Sequence, residues 1–272
     1  MGTELCQHLL SHSDAIIRVY DNSEYNMHRL ATRFGTNGRM RYLMGDVRDY
    51  ARLSRAMEDV DVVIHTAALK HVYLGQINPM EVLKSNVVGT QNVIDCVLDE
   101  YDVDVMVYLS SDKAVNPSNF YGQSKAMGEG LTLNAEKVKG DRETRFTVFR
   151  PGNFFLSAGN VVEKWLDQHA HGDAITLTRG DMRRYYIGVG KAAELTYKVS
   201  QICEGGDVWI PKMAEYRMED LAHLIGGEIE MIDPTPGEKE KEELWSEHES
   251  KYLVDRGDLY QIVLKTSHPR SL

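Results

Sequence analysis

The chain has 272 residues, 42% of them hydrophobic and 26% charged, with a formal net charge of −10. That length suits one large α/β domain or two smaller ones, with room for a substantial buried core. The acidic balance excludes broad nucleic-acid binding, which needs a basic surface. No apolar run reaches the length of a membrane span, and no basic flank with an apolar core marks a signal peptide.

In chain order, residues 1–10 (MGTELCQHLL) read as the inside of a helix, with Leu5, Leu9 and Leu10 at helical spacing and no strand before them. Residues 15–20 read as a buried strand, 22–34 as a helix capped by Asn or Ser, and 40–46 as a short strand with a turn. Then come a helix at 50–60, a strand at 61–68, one long amphipathic helix at 78–100, a strand at 103–111, a helix at 119–138 and a strand at 145–153. Near-continuous apolar strands separated by helices predict an α/β fold with a doubly wound parallel sheet covered on both faces. Ligands of such sheets sit beyond the carboxyl ends of the strands.

Residues 1–153 form this domain; 154–272 predict a smaller C-terminal lobe, mainly substrate-binding, with segments returning to the sheet. Its helices are expected at 159–170, 190–203 and 217–225, and its short strands at 174–178 and 207–210. The charge-rich stretch 237–251 reads as a solvated helix face. Cys6, Cys96 and Cys203 are scattered and read as free thiols of a reducing cytosol. Neither the cysteines nor the ten histidines have metal-ligand spacing in a supportive context, so no metal is expected.

A dinucleotide-binding fold opens with a strand, a glycine-rich turn and a helix, and carries an acidic residue about 20 positions on for the ribose hydroxyls. Gly2 fits the last glycine of that turn, and Asp21, at the end of the next strand, stands 19 positions later. On this reading the chain starts inside the phosphate-binding turn, without the first strand and the earlier glycines. The preferred explanation is that Met1 is an internal methionine, with roughly 10–15 residues of strand and turn upstream; a true remnant is the other.

The sharpest stretch is SSDKAVNPSNFYGQSKAMGE, residues 110–129. Tyr121 and Lys125 lie at i and i+4, on one helix face, where a lysine can depress the phenol and make it a base near neutral pH. Ser111, at the end of the preceding strand, can bond the same reacting hydroxyl. Asp112 and Lys113 add a second acid–base pair.

These residues resemble the extended short-chain dehydrogenase/reductases, and among them the UDP-N-acetylglucosamine 4,6-dehydratases of the polysaccharide biosynthesis protein family. The similarity also runs through GDVRD (45–49), HTAALKHV (65–72), NPMEVLKSNVVGTQNV (78–93), FRPGN (149–153), WIPKM (209–213) and PGEKEKEEL (236–244). It implies a Rossmann-like fold and a nucleotide-sugar lyase using NAD or NADP. Tyr121 would take the proton of the sugar 4-hydroxyl as hydride leaves C4, and Lys125 would hold the cofactor ribose. Lys113 would take the C5 proton, Asp112 would protonate the departing 6-hydroxyl, and the hydride would return to C6. A 4-epimerase needs only the redox base, and epimerases of the superfamily usually have small residues at the positions of Asp112 and Lys113.

Cofactor contacts are expected from Gly2, Asp21, Asp46, Val47, Ala67, Ala68, Lys70, Tyr121 and Lys125. Asp21 favours NAD, because its carboxylate accepts ribose hydroxyls and repels a 2′-phosphate. Substrate contacts are expected from Lys70, His71, Asn86, Asn153, Arg184 and Lys212. Two arginines of the family pattern are absent: Ala158 stands for one and Thr235 for the other. Arg183, Arg184 and Lys212 are the candidates to compensate. The resemblance further implies a cytoplasmic homo-oligomer that binds a UDP-sugar and neither nucleic acid nor membrane; a UDP-sugar 4-epimerase or a non-catalytic remnant are the alternatives.

Overall fold

The computed structural model describes residues 1–264 apart from 36–37, 100–102, 156, 158 and 235–236. The chain runs α1 (Gly2–His12), β1 (Ile17–Asp21), α2 (Glu24–Phe34), β2 (Met40–Met44), α3 (Tyr50–Met57) and β3 (Val62–His65). Next come α4 (Val72–Ile77), α5 (Pro79–Val82), a π-helical turn (Leu83–Val88), α6 (Gly89–Asp99), β4 (Val105–Leu109), a 3-10 turn (Asp112–Ala114), α7 (Phe120–Val138) and β5 (Arg145–Phe149). The second half holds β6 (Asn153–Phe155), α8 (Val161–His171), β7 (Ile175–Leu177), β8 (Arg183–Gly188) and α9 (Val189–Ile202). It ends with β9 (Asp207–Pro211), β10 (Ala214–Arg217), α10 (Met218–Ile225), β11 (Ile229–Met231), β12 (Leu253–Asp255) and β13 (Leu259–Val263). Several helices start where a side-chain oxygen takes an unpaired backbone N–H: Ser23 accepts from Asn26, Asp49 from Arg52, Asn119 from Gly122 and Asn160 from Val162.

The helix expected over 78–100 forms from Pro79 to Asp99, with α5, the π-helical turn and α6 running on without leaving the helical region. Asn78 separates α4 from α5, which has Pro79 in its first turn, and the π-helical turn delivers Asn86 inward. The Asn86 side chain makes three hydrogen bonds there, to Leu69 N, Leu69 O and Ser124 Oγ.

The main sheet has the order β12-β13-β9-β5-β4-β3. Strands β3, β4, β5 and β9 are parallel, while β13 and β12 are antiparallel additions. All five residues of β4 are buried because the strand is covered on both faces. Met106 points with Phe146 into a core shared with α3, α6 and α7, while Val105, Val107 and Leu109 point the other way onto α9. This is the period-2 alternation of a strand with two apolar faces.

The parallel strands β1 to β5 fall into two separate sheets, as expected where the first strand of the dinucleotide fold is lacking. Among the described strands, β1 pairs only with β2 and β3 only with β4. Between them lies a cavity of about 1640 Å³, lined by Ile17 and Val19 of β1, Val63 and His65 of β3, and Met1 and Leu5 of α1. The smaller lobe has its own core, in which Trp165 of α8, Ile175 and Leu177 of β7, Tyr186 of β8 and Leu221 of α10 meet. Strands β9, β12 and β13 return to the main sheet.

The charge-rich stretch 237–251 is not the solvated helix expected of it. It runs irregularly along β8, with Arg183 bridged to Lys241, and forms only a 3-10 turn at Glu249–Tyr252. Glu242 and Leu244 are buried. Glu238 and Glu240 stay exposed, so Glu242 is the acid of this stretch that turns inward.

Arg150, just past β5, is 3% exposed and bonds both Glu129 of α7 and Glu249. Removing one partner of a buried pair strands the other charge. Arg150→Ala is therefore expected to lower the unfolding free energy by about 3–5 kcal/mol, measured by urea denaturation. His65 is buried and hydrogen-bonded to Thr90, and burial, reinforced by the charge of Lys125, pushes its imidazole down to about 3. The unfolded chain binds this proton below about pH 6.5 and the folded chain resists it, so stability declines as pH falls from there toward 3. The His65 share of that slope, up to about 1.4 kcal/mol per pH unit, is expected to vanish in His65→Gln when urea midpoints are compared between about pH 7 and about pH 5.

Candidate active site

The carboxyl ends of β3, β4 and β5 open on one edge of the sheet. After β4 the chain follows β5: Ser110 N donates to Phe149 O and Asp112 N to Pro151 O, both at 2.8 Å. Ser111 then caps the 3-10 turn, accepting from Lys113 N and donating its hydroxyl to Asp112 Oδ1 at 2.9 Å. Asn116 adopts a left-handed conformation, φ 43°, which Asn tolerates better than most residues. The turn meets α7 at Gly122, where a Cβ would lie 2.3 Å from Lys113 O. Only glycine lets the helix approach the Asp112–Lys113 backbone this closely.

Lys113 Nζ donates to Asp112 Oδ1 and to Asn153 Oδ1, each at 3.1 Å, and lies 3.5 Å from Glu242 Oε1. Burial opposes the ammonium, but the charges of Asp112 and Glu242 outweigh it and hold Lys113 above its ordinary value. Burial also raises the Asp112 carboxyl, with Glu242 adding to the rise and Lys113 opposing it. Asp112 Oδ2 is buried and has no hydrogen-bond partner among the described residues. Burial raises the Tyr121 phenol as well, while the charge of Lys113 and a hydrogen bond with Ser111 pull it down. The five predicted catalytic residues thus divide. Ser111, Asp112, Lys113 and Tyr121 form one electrostatic cluster.

Lys125 stands apart from that cluster. Its ammonium is buried, donates to Leu109 O at 2.5 Å and lies 4.2 Å from the Tyr108 ring centre. Burial lowers it to about 7, with Glu129 opposing. The helical spacing correctly puts Tyr121 and Lys125 on one face, but the cation that acts on Tyr121 here is Lys113. A strand-end carbonyl and an aromatic face within reach draw Lys125 inward.

Gly2, Asp21, Asp46, Val47, Ala67 and Ala68 all line the cavity between β1 and β3. Asp21 Oδ1 accepts from Ser23 N at 2.7 Å, and burial does not close it off. Asp46 is held by Arg48 and Asn22, its hydrogen bonds to Arg48 being the main cause of a carboxyl lowered to about 2. Gly2 opens α1, and a Cβ there would meet nothing within 4 Å. The close helix–strand packing expected of Gly2 is absent because its surface of α1 faces the cavity. Lys70 and His71 are exposed on the loop after β3.

Three expected substrate contacts are otherwise engaged. Asn86 ties the loop after β3 to α7, as described above, so it positions backbone instead of reaching outward. Arg184 is 8% exposed, and its guanidinium is committed to the carbonyls of Arg183, Lys239 and Glu240. Lys212 grips both oxygens of Asp255 and lies over Tyr260, on the β9–β13 side of the sheet. Asn153 does reach the cluster, through Lys113. Ala158 and Thr235 lie outside the described residues.

The residue that sequence reasoning missed is Glu242, 3% exposed and shared by Lys113, Arg184 and Lys239 at 3.5, 4.0 and 3.8 Å. The apolar Leu244 two positions on was its only signal.

Residues 1–264 match the family described as polysaccharide biosynthesis protein. The chain is 38% identical over 275 residues to an uncharacterized membrane protein of Methanocaldococcus jannaschii, covering 96% of this chain and 82% of that one. It is 38% identical over 251 residues to the UDP-N-acetylglucosamine 4,6-dehydratase (inverting) of Campylobacter jejuni, covering 90% and 74%. A UDP-glucose 4-epimerase of Rickettsia conorii is 32% identical over 252 residues, with 90% and 73% covered. Among solved structures, Pen from Bacillus thuringiensis superposes with a TM-score of 0.92 at 36% identity, covering 96% of this chain and 84% of that one. No helix of the described residues is long and apolar enough to cross a membrane. The chain belongs to the polysaccharide biosynthesis protein family, as an extended short-chain dehydrogenase/reductase of the nucleotide-sugar dehydratase and epimerase group.

Proposed function

We propose that this protein is a nucleotide-sugar 4,6-dehydratase acting on UDP-N-acetylglucosamine or a close UDP-sugar. The observation that carries the reading is the buried Asp112–Lys113 pair beside Tyr121. Oxidation and return of hydride at one carbon need a single base; removal of water across C5 and C6 needs a further base and acid. The similarity to Campylobacter jejuni UDP-N-acetylglucosamine 4,6-dehydratase supports the substrate class.

The residues that line the cavity fit a dinucleotide: an acid at the end of β1 for ribose hydroxyls, small Ala67 and Ala68, and backbone at the start of α1. Bound NAD(P)+ supplies the acceptor and later the donor of the hydride. Asp21, at that strand end, favours NAD.

Tyr121 removes the 4-hydroxyl proton, its phenolate favoured by Lys113 and Ser111. The resulting 4-keto group acidifies C5–H. Lys113 then accepts the C5 proton and Asp112 gives one to the departing 6-hydroxyl. In the resting cluster the shared proton sits on Lys113; its transfer to Asp112 creates base and acid together without changing the net charge. The unpartnered Asp112 Oδ2 is the oxygen available to carry it. The exposed Tyr73, Leu74, Ile77, Met80 and Met127 on α4, α5 and α7 support pairing of copies through these helices. Three free, buried cysteines suit a reducing cytoplasm.

Incubation with UDP-N-acetylglucosamine and NAD(P)+ is expected to give a product lighter by one water, read by mass spectrometry. A product of unchanged mass with inverted C4 would mean epimerisation and would sink this reading. Lys113→Ala is expected to slow water loss about 10²–10⁴-fold. Tyr121→Phe is expected to stop both steps.

A further inference from the structure

We propose that Glu242 is a positioning residue for the acid–base pair: carried in by the 237–244 segment, its carboxylate holds Lys113 together with Asp112. This inference rests on the function proposed above for Asp112 and Lys113.

The geometry is specific. Lys113 Nζ is bracketed by Asp112 Oδ1 at 3.1 Å, Asn153 Oδ1 at 3.1 Å and Glu242 Oε1 at 3.5 Å. Asp112 and Asn153 come from the β4 and β5 ends, whereas Glu242 comes from 129 residues further along the chain than Lys113. The segment that carries it is stitched down on two sides. Toward the catalytic helix, Ser118 Oγ and Asn119 Nδ2 donate to Gly237 O at 2.7 and 3.0 Å, Lys239 donates to Val115 O, and Asn116 donates to Glu243 at 2.7 Å. Gly237 has φ 85°, and a Cβ there would lie 2.9 Å from Asn119 Cβ, so the segment can sit this close only with glycine at that place. Toward the lobe, Arg184 clasps the carbonyls of Lys239 and Glu240, and Glu242 N donates to Arg183 O. The acid at the inner position is shared by Lys113, Arg184 and Lys239, so its charge enters the balance around the pair. A buried carboxylate with Oε2 lacking any hydrogen-bond partner among the described residues is costly as a mere spacer.

The charge acts on both members of the pair in the same direction. Glu242 raises the proton affinity of Lys113 and of Asp112. The other charged or titratable groups turned toward the pair are Tyr121 of α7 and Arg184, Tyr185 and Tyr186 of β8, while Lys239 faces Glu242 from its own segment. Glu242→Gln keeps the shape and removes the charge, so both proton affinities fall together.

The test has two arms. In the first, without substrate, each lysine of the full chain is acylated by an N-hydroxysuccinimide ester across pH and followed by peptide mass spectrometry. In Glu242→Gln the midpoint for Lys113 is expected to move to lower pH, giving roughly 3–10-fold faster acylation below the midpoint. The exposed Lys84 stays unchanged, and Glu242→Asp recovers part of the shift. In the second arm, the pH profile of kcat for water loss is expected to slide as a whole toward acid in Glu242→Gln, with KM changed less than about twofold. An unmoved Lys113 midpoint, or a faster plateau at high pH with the midpoint unmoved, overturns the proposal, because a merely structural role would alter access and not proton affinity. Wild-type protein that dehydrates no UDP-sugar counts against the dehydratase reading, and the acylation arm then decides the role of Glu242 by itself.

Discussion

A lysine ammonium placed inside a protein needs carboxylates around it. Moving such an ion out of water costs several kcal/mol, and the cost is recovered only by close, well-oriented partners. Lys113 meets this condition with Asp112 from its own turn and Glu242 from the far end of the chain. Much of the architecture follows from that requirement. The turn after β4 must be tight enough to bring Asp112 under the ammonium, and the 237–244 segment must dock before the cluster is neutral. The hydrogen bonds from Ser118, Asn119 and Asn116 to that segment serve this docking. The chemical centre therefore belongs to neither half of the chain alone.

The same solution recurs one strand over. Arg150 leaves β5 into the core and is held by Glu129 of α7 and Glu249 of the C-terminal stretch. In both places the catalytic helix and its strand end supply one carboxylate and the late segment supplies the other. The two clusters fasten the end of the chain across the carboxyl edge of the parallel sheet. Strand β4, buried on both faces, is the rigid member against which they act. The cavity between β1 and β3 borders the same edge, so the residues read as cofactor contacts and the acid–base cluster share one side of the molecule.

Sequence and structure agree best where chemistry is local. The β4 strand, the Ser111–Lys113 turn and helix α7 were legible because one apolar run, one cap and one helical period lie within about 30 residues. Agreement fails where a contact depends on distant chain. The segment 237–251 carries enough charge to read as a solvated surface, yet its inner Glu is buried because two cations wait there. Arg184 resembles a phosphate ligand in composition, but two backbone carbonyls of that segment and that of Arg183 take its donors. The helix expected over 78–100 forms, but the π-helical turn within it, which brings Asn86 to the backbone of Leu69, is a feature no periodicity records.

By itself, then, the sequence determined the alternation of strand and helix and the class of fold. These depend on residue type and on spacing within a single element, which local sterics and burial impose. Tertiary structure decided which cation serves which group. Lys113, not Lys125, acts on Tyr121, because Lys125 has a carbonyl and an aromatic ring nearer at hand. It also brought Glu242 within 3.5 Å of Lys113, because only the folded chain brings together charges that the sequence holds far apart, and only burial makes their balance obligatory.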